Sequence, residues 1–314
     1  MPRARKTMVS AETTPYYHCT TRCVRRAFLC GSDGDKCFEH RRGWLEARLL
    51  ELARVFALDL LSYAIMSNHH HVIVRLTREA QAWSMDEVLR RSTKLFAGPE
   101  LVQRYLAGEA LGADELKRVG EYAQVYRERL ASLSWFMRCL NEPIARAANA
   151  EDHCTGRFWE GRFKSQALLD EQALLTCMAY VYLNPVRAKM AETPEASAHT
   201  SISQRIRAER AKTPEHVLLP FVRNIQAEGG KAIPFGFNDY LQLLDWTGRI
   251  VREGKRGAIA AAVPPILARL QINPEAYLDG MASSDYPFQR VAGRVEAIEQ
   301  AARELGQSAL RGLT

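Results

Sequence analysis

The chain has 314 residues, 47% of them apolar, with 43 Lys and Arg against 36 Asp and Glu, a net charge of +7. At roughly 150 residues per domain this is two domains or one core with a large appendage, and the apolar share excludes general disorder. The positive balance favours a polyanionic partner, nucleic acid before a membrane surface, and seven scattered cysteines argue against a disulfide framework and for a reducing, cytoplasmic setting.

After a basic start, residues 7–17 carry no apolar run of the kind a secretion signal needs. Tyr16-Tyr17-His18-Cys19-Thr20-Thr21-Arg22 is rich in Tyr and Thr and reads as a strand. Residues 41–56 place Leu45, Leu49, Leu52 and Phe56 at helical spacing, an amphipathic helix. The apolar runs 58–65 and 72–76 flank Met66-Ser67-Asn68 and read as an antiparallel hairpin. The longest apolar stretch, 52–66, is interrupted by Arg54 and Asp59 and is too short to cross a bilayer. Residues 77–133 turn helical and charged, an inserted region, and another helix is expected over 134–148. A strand ending at Leu169 follows, after which Asp170 caps a helix that Pro185 stops at about Leu183. Beyond 195 the pattern is mostly helical, with 238–253 one such helix. The expected fold class is α+β: an antiparallel sheet with packed helices over 10–190, and a helical C-terminal region over 195–314.

The candidate chemistry begins at Asn68-His69-His70-His71. Alternate side chains of a strand share a face, so His69 and His71 point together and His70 points away. Two imidazoles on a rigid strand make a metal-binding pair if a third ligand arrives from elsewhere; otherwise they are exposed histidines on a hairpin rim. In Tyr180-Val181-Tyr182-Leu183-Asn184-Pro185-Val186-Arg187, helical positions four apart differ by about 40°, so Tyr180 and Asn184 share a face while Tyr182 looks away. A phenol and an amide on one face offer a nucleophile beside a metal ligand, or simply line an amphipathic helix.

Arg157, Arg162 and Lys164 interleave with Phe158, Trp159 and Phe163. Cations neutralise phosphates and aromatic faces stack on unpaired bases, which suits single strands and hairpin ends. The alternative is a loop whose aromatics fill the core and whose charges are solvated. Arg22, Arg25 and Arg26 form a second basic patch, and Arg187 stands just past the Tyr–Asn pair. The cluster Arg249, Arg252, Lys255 and Arg256 reads more readily as a solvated helix face. Cys19, Cys23, Cys30 and Cys37 lack the paired Cys-x-x-Cys spacing of structural zinc domains.

Taken in order, the segments 66–74, 161–166 (Gly161-Arg162-Phe163-Lys164-Ser165-Gln166) and 180–188 resemble the signature blocks of the REP-associated tyrosine transposases, one-tyrosine HUH transposases that act on single-stranded DNA. The resemblance covers roughly residues 10–190, interrupted by the charged insertion. It implies an HUH, ferredoxin-like core with His69 and His71 as the HUH pair, Tyr180 as nucleophile, Asn184 as third metal ligand, and Mg²⁺ or Mn²⁺ as cofactor. It further implies cleavage and rejoining of single-stranded or hairpin DNA, such as repeated extragenic palindromes, through a covalent 5′-phosphotyrosine, by a monomer or homodimer. Arg22, Arg157, Trp159, Arg162, Lys164 and Arg187 would then hold the DNA.

Two positions depart from the pattern. His70 fills a slot that is usually hydrophobic, and Lys189 stands where many relatives have Gly. Two imidazoles and an amide form a neutral ligand set, for which zinc is the competing physical choice. A domesticated, non-catalytic DNA-binding regulator is the alternative reading. A zinc hydrolase would need carboxylate or further His ligands, and the sequence has no His-Glu-x-x-His motif.

Overall fold

A computed structural model describes residues 13–24, 30–33, 36–212, 217–221, 232–233, 235–253, 264, 267–268, 271–282, 291–307, 309–310 and 312–313. The basic start, Arg25, Arg26, Lys255 and Arg256 lie outside the described residues, as does the side chain of Arg252. The Tyr- and Thr-rich segment forms β1 (Tyr16–Arg22). A short hairpin, β2 (Ser32–Asp33) and β3 (Lys36–Cys37), leads to α1 (Glu39–Val55). β4 (Leu58–Ile65) and β5 (His69–Leu76) then pair antiparallel, and the turn between them closes with Met66 N–H donating to His69 O at 2.8 Å. β5 begins at His69, ahead of its apolar run, so the three histidines are strand residues with fixed facing.

β1 pairs with β5 on one side and with β6 (Lys164–Leu168) on the other, both antiparallel. The resulting order β4-β5-β1-β6 is a ferredoxin-like sheet. One face carries Tyr17, Cys19, Val72 and Val74 against Leu45, Leu49 and Leu52 of α1 and Phe136, Met137 and Leu140 of α5 (Leu133–Glu151). Each such buried aliphatic or aromatic side chain contributes about 1.5–3 kcal/mol. The charged insertion supplies α2 (Met85–Thr93), α3 (Glu100–Leu106) and α4 (Ala113–Leu130), as its pattern predicts.

The opposite face is covered by α6 (Glu171–Arg187), whose N-terminus is capped by Asp170 accepting from Ala173 N–H at 2.8 Å. The helix runs past Pro185 rather than stopping before it. Proline deprives only the Val181 carbonyl of its donor, and the end is closed beyond it. Lys189 N–H reaches Val186 O at 3.1 Å and Met190 N–H reaches Pro185 O at 2.9 Å, with Lys189 in the left-handed region at φ 56°. This is a Schellman closure, and it explains why a glycine suits the position of Lys189.

α6 is apolar all round because it is covered on both sides. Behind it lie α7 (Ser201–Ala211), α8 (Phe237–Glu253) and α9 (Pro274–Ala282), which share its core through Ile202, Tyr240, Leu243 and Met281. The described C-terminal region is mostly helical, as expected, and adds two short strands that its pattern does not show. Around α10 (Val295–Glu304), β7 (Val291–Ala292) and β8 (Gly312–Leu313) extend the sheet in parallel beyond β6. Their two-residue length gives no sequence period to detect, and they cover an edge that would otherwise expose unpaired backbone groups. No helix among the described residues is long and apolar enough to cross a membrane.

Candidate functional site

Register places Arg22 opposite His69 and Thr20 opposite His71, with Lys164 opposite Thr20 on the other side of β1. Alternation therefore puts Arg22, Lys164, His69 and His71 on the face that α6 covers, at one end of the sheet. The His69 and His71 rings lie 4.9 Å apart, nearly perpendicular. Each has its Nδ1 engaged: His69 Nδ1 is 2.6 Å from Asn68 Oδ1, and His71 Nδ1 is 2.9 Å from His18 Nε2. On both rings Nε2 is thus the atom left for a ligand.

His70 points to the other face, as alternation requires. Its Nε2 meets Asn141 Oδ1 at 2.9 Å, and its ring stands edge-on to Trp159 at 5.6 Å. A polar residue is accommodated in that slot because α5 supplies an amide partner.

Tyr180 approaches from α6 of the same chain, its ring 5.6 Å from that of His71 and perpendicular to it. The Arg187 guanidinium lies 5.2 Å over the Tyr180 ring. Burial lowers the Arg187 pKa, an effect that the neighbouring Tyr180 opposes. Beyond the helix end, Ser67 Oγ contacts Met190 Sδ at 3.6 Å, two residues before His69. Asn184 lies between these two contacts, one turn after Tyr180 on the same helical face and 8% exposed. Tyr182 faces away, as spacing predicts, with Arg205 Nε donating to its hydroxyl at 3.3 Å.

The donor set fits a divalent cation. Burial drives His69 down to about 3, helped by the charges of Arg22 and His70, and holds His71 well below its ordinary value. Both rings are neutral at pH 7, the form that ligates metal. His71 Nε2 and one Asn184 amide atom are buried without a hydrogen-bond partner among the described residues. Leaving such atoms unmet costs about 1–3 kcal/mol each, and an amide can turn over to present its oxygen. No group of three His, Cys, Asp or Glu that could hold a metal ion occurs among the described residues.

The expected DNA contacts divide. Arg157, Arg162 and Lys164 are exposed, while Arg22 and Arg187 are partly buried on the histidine face. Trp159 is a correction. It is 9% exposed, its Nε1 donates to Asn141 O at 2.9 Å, and Phe158 and Phe163 are buried beside it in the same core. The loop is pinned along the end of β1, with Val24 N–H donating to Phe158 O at 3.0 Å and Glu160 N–H to Arg22 O at 2.9 Å. Its aromatics are anchors that turn the cations outward, and no ring face of Trp159 is offered to a base. Arg249 pairs with Asp245 one turn back on α8, in keeping with a solvated helix face. Sequence reasoning passed over His18 and Gln166; the signal was the β1 alternation that puts His18 on the face of Thr20 and Arg22.

No protein-family model and no curated protein matches the chain. Among solved structures, one of a REP-associated tyrosine transposase bound to a REP hairpin is similar at 12% identity and a TM-score of 0.39, covering 68% of this chain and 89% of that one.

Proposed function

We propose that this chain is a metal-dependent tyrosine transposase that cleaves and rejoins single-stranded or hairpin DNA. The observation that carries the reading is the approach of Tyr180 to His71 within one chain, at the end of a sheet face that also bears His69 and Arg22. A phenol beside two neutral imidazoles and a rim of cations is suited to an anionic ester.

His69, His71 and Asn184 would hold the cation, which when bound supplies Lewis-acid stabilisation of charge on the scissile phosphate. Arg22, Lys164 and Arg187 neutralise neighbouring phosphates, and exposed Arg157 and Arg162 extend the track. Tyr180 Oη forms a bond to phosphorus as the bond to the 3′ oxygen breaks, giving a 5′-phosphotyrosine and a free 3′-OH. A phenol ordinarily has a pKa near 10, so its proton leaves as it attacks. One phosphodiester replaces another, so rejoining by reversal needs no nucleotide.

The test uses a labelled hairpin oligonucleotide with Mn²⁺ and a denaturing gel. Tyr180→Phe is expected to abolish the covalent adduct while hairpin affinity stays within a few-fold of wild type. Adduct persisting in the variant would reject Tyr180 as nucleophile.

A further inference from the structure

Phe96 and Val125 are large apolar side chains left 50% and 42% exposed on the charged insertion, to which the chemistry above assigns nothing. Val125 belongs to a stripe on α4. At 100° per residue, Arg118, Tyr122, Val125 and Arg129 fall within about 60° of one another, with Tyr126 to one side and Glu121 and Glu128 to the other. The Tyr122 and Tyr126 rings stand 6.4 Å apart and nearly parallel. Phe96, between α2 and α3, stands edge-on to Trp135 of α5, also at 6.4 Å. The Arg129 guanidinium joins the two groups, 4.5 Å from the centroid of Trp135 and 5.8 Å from that of Tyr126, and Arg138 lies 5.0 Å from Trp135. One connected surface of rings and guanidinium groups thus spans three segments. Neither Arg118 nor Arg129 forms an ion pair among the described residues.

The surface continues along α5. Trp135, Arg138, Glu142, Arg146 and Asn149 fall within about 80° of one another, a stripe about 21 Å long. Arg138 and Arg146 share a single carboxylate, Glu142, at 2.9 and 3.1 Å, so the stripe keeps a net positive charge. At its far end Asn149 Nδ2 donates to Gly156 O at 3.0 Å, and the next residue of that loop is exposed Arg157. The outer face of α5 therefore connects the Trp135 cluster with the exposed cations beside the site.

An apolar protein surface laid here would desolvate guanidinium groups that have no carboxylate, whereas a polyanion answers them. A duplex keeps its base faces stacked inside; a single strand offers phosphates to arginines and bases to rings and guanidinium planes. We propose that this face carries a single strand of nucleic acid, its phosphates on Arg118, Arg129, Arg138 and Arg146 and its bases against Phe96 and Tyr122. That the strand is the flank of a DNA under cleavage rests on the function proposed above. In that reading the charged insertion extends the protein's grip from the cleaved junction to the strand that leaves it.

Fluorescence anisotropy of a labelled oligothymidine about 16 nucleotides long, with the full chain, tests the surface without a hairpin. The variant Arg118→Gln/Arg129→Gln/Arg138→Gln should lower the slope of log affinity against log salt by about 0.7 for each cation removed. Phe96→Ala should weaken binding about 5- to 150-fold at constant slope. If the loss of Arg129 unfolds the chain, Arg118→Gln/Arg138→Gln, both at exposed positions, reads the same slope. Unaltered affinity and slope in these variants overturn the proposal. So does a duplex of equal length that binds as tightly with the same dependence, or a wild-type dimer in sedimentation that the variants dissociate, which would make this face an interface between copies. The covalent adduct on a hairpin without a flank should form equally in wild type and variants. Strand binding that depends on this face, with no adduct in the wild type, keeps the surface and removes the reaction. Adduct formation with strand binding indifferent to this face does the reverse.

Discussion

Truncation of Trp159 separates the two roles a tryptophan in a basic loop can have. In the structure its ring packs edge-on to Phe158 at 4.7 Å and to His70 at 5.6 Å, with the indole N–H bonded to Asn141 O. Removing a buried aromatic side chain of this kind costs about 3–5 kcal/mol, and the lost hydrogen bond is worth about 1 kcal/mol of that order. Trp159→Ala should therefore remove roughly a third or more of a typical domain's 5–15 kcal/mol. Trp159→Phe keeps most of the ring and should cost about 1–2 kcal/mol. A stacking platform behaves differently, since alanine there costs about 1–3 kcal/mol of binding per base and little stability. Urea unfolding followed by circular dichroism, with single-strand affinity measured at low temperature on the folded fraction, distinguishes them. A stability loss below about 1 kcal/mol, joined to a tenfold or greater loss of single-strand affinity, would refute the burial argument.

Three further outcomes follow from the same packing. His18 and His70 are held down to about 4 by burial, so below pH 6.5 the unfolded chain binds more protons than the folded one. Stability is complete above pH 6.5 and falls towards pH 4, each ring removing about 2 kcal/mol between pH 7 and 5; a urea midpoint that stays flat over that window contradicts it. Lys189→Gly relieves left-handed strain at an exposed helix end and should raise stability by about 0.5–1 kcal/mol, less the entropy glycine adds to the unfolded chain, whereas a loss would mean the lysine side chain has an unrecognised contact. Lys164→Gln should lower the slope of log affinity against log salt by about 0.7 on a single strand, while Arg249→Gln, already paired on its own helix, should leave the slope unchanged.

What the sequence shows and hides follows from the range over which each signal acts. β1, the β4–β5 hairpin, α1 and the Asp170 cap declare themselves through local period and local hydrogen bonding, and so does the shared facing of His69 and His71. Pro185 misleads because its penalty depends on how the helix closes after it, and the Schellman turn at Lys189 is a three-residue matter that composition hides. Whether Trp159 faces a base or the core depends on α5 arriving with Asn141 behind β5, a contact between segments far apart in sequence. The same holds for His18. Its facing is legible from alternation, but its partners are fixed by register against two other strands, and register is not written in any one of them.

The closeness of Tyr180 to the histidines depends on what stands behind α6. Arg205 of α7 donates to the Tyr182 hydroxyl and also, at 2.9 and 2.8 Å, to Leu61 O on β4 and to Leu219 O. Tyr240 of α8 closes on the Tyr182 ring at 5.7 Å. One helix thus carries Tyr180 and Asn184 on its sheet side while Tyr182, two residues along, ties its back to a strand of the same sheet through a buried guanidinium. The C-terminal helices thus form the wall against which α6 is set, held through Tyr182.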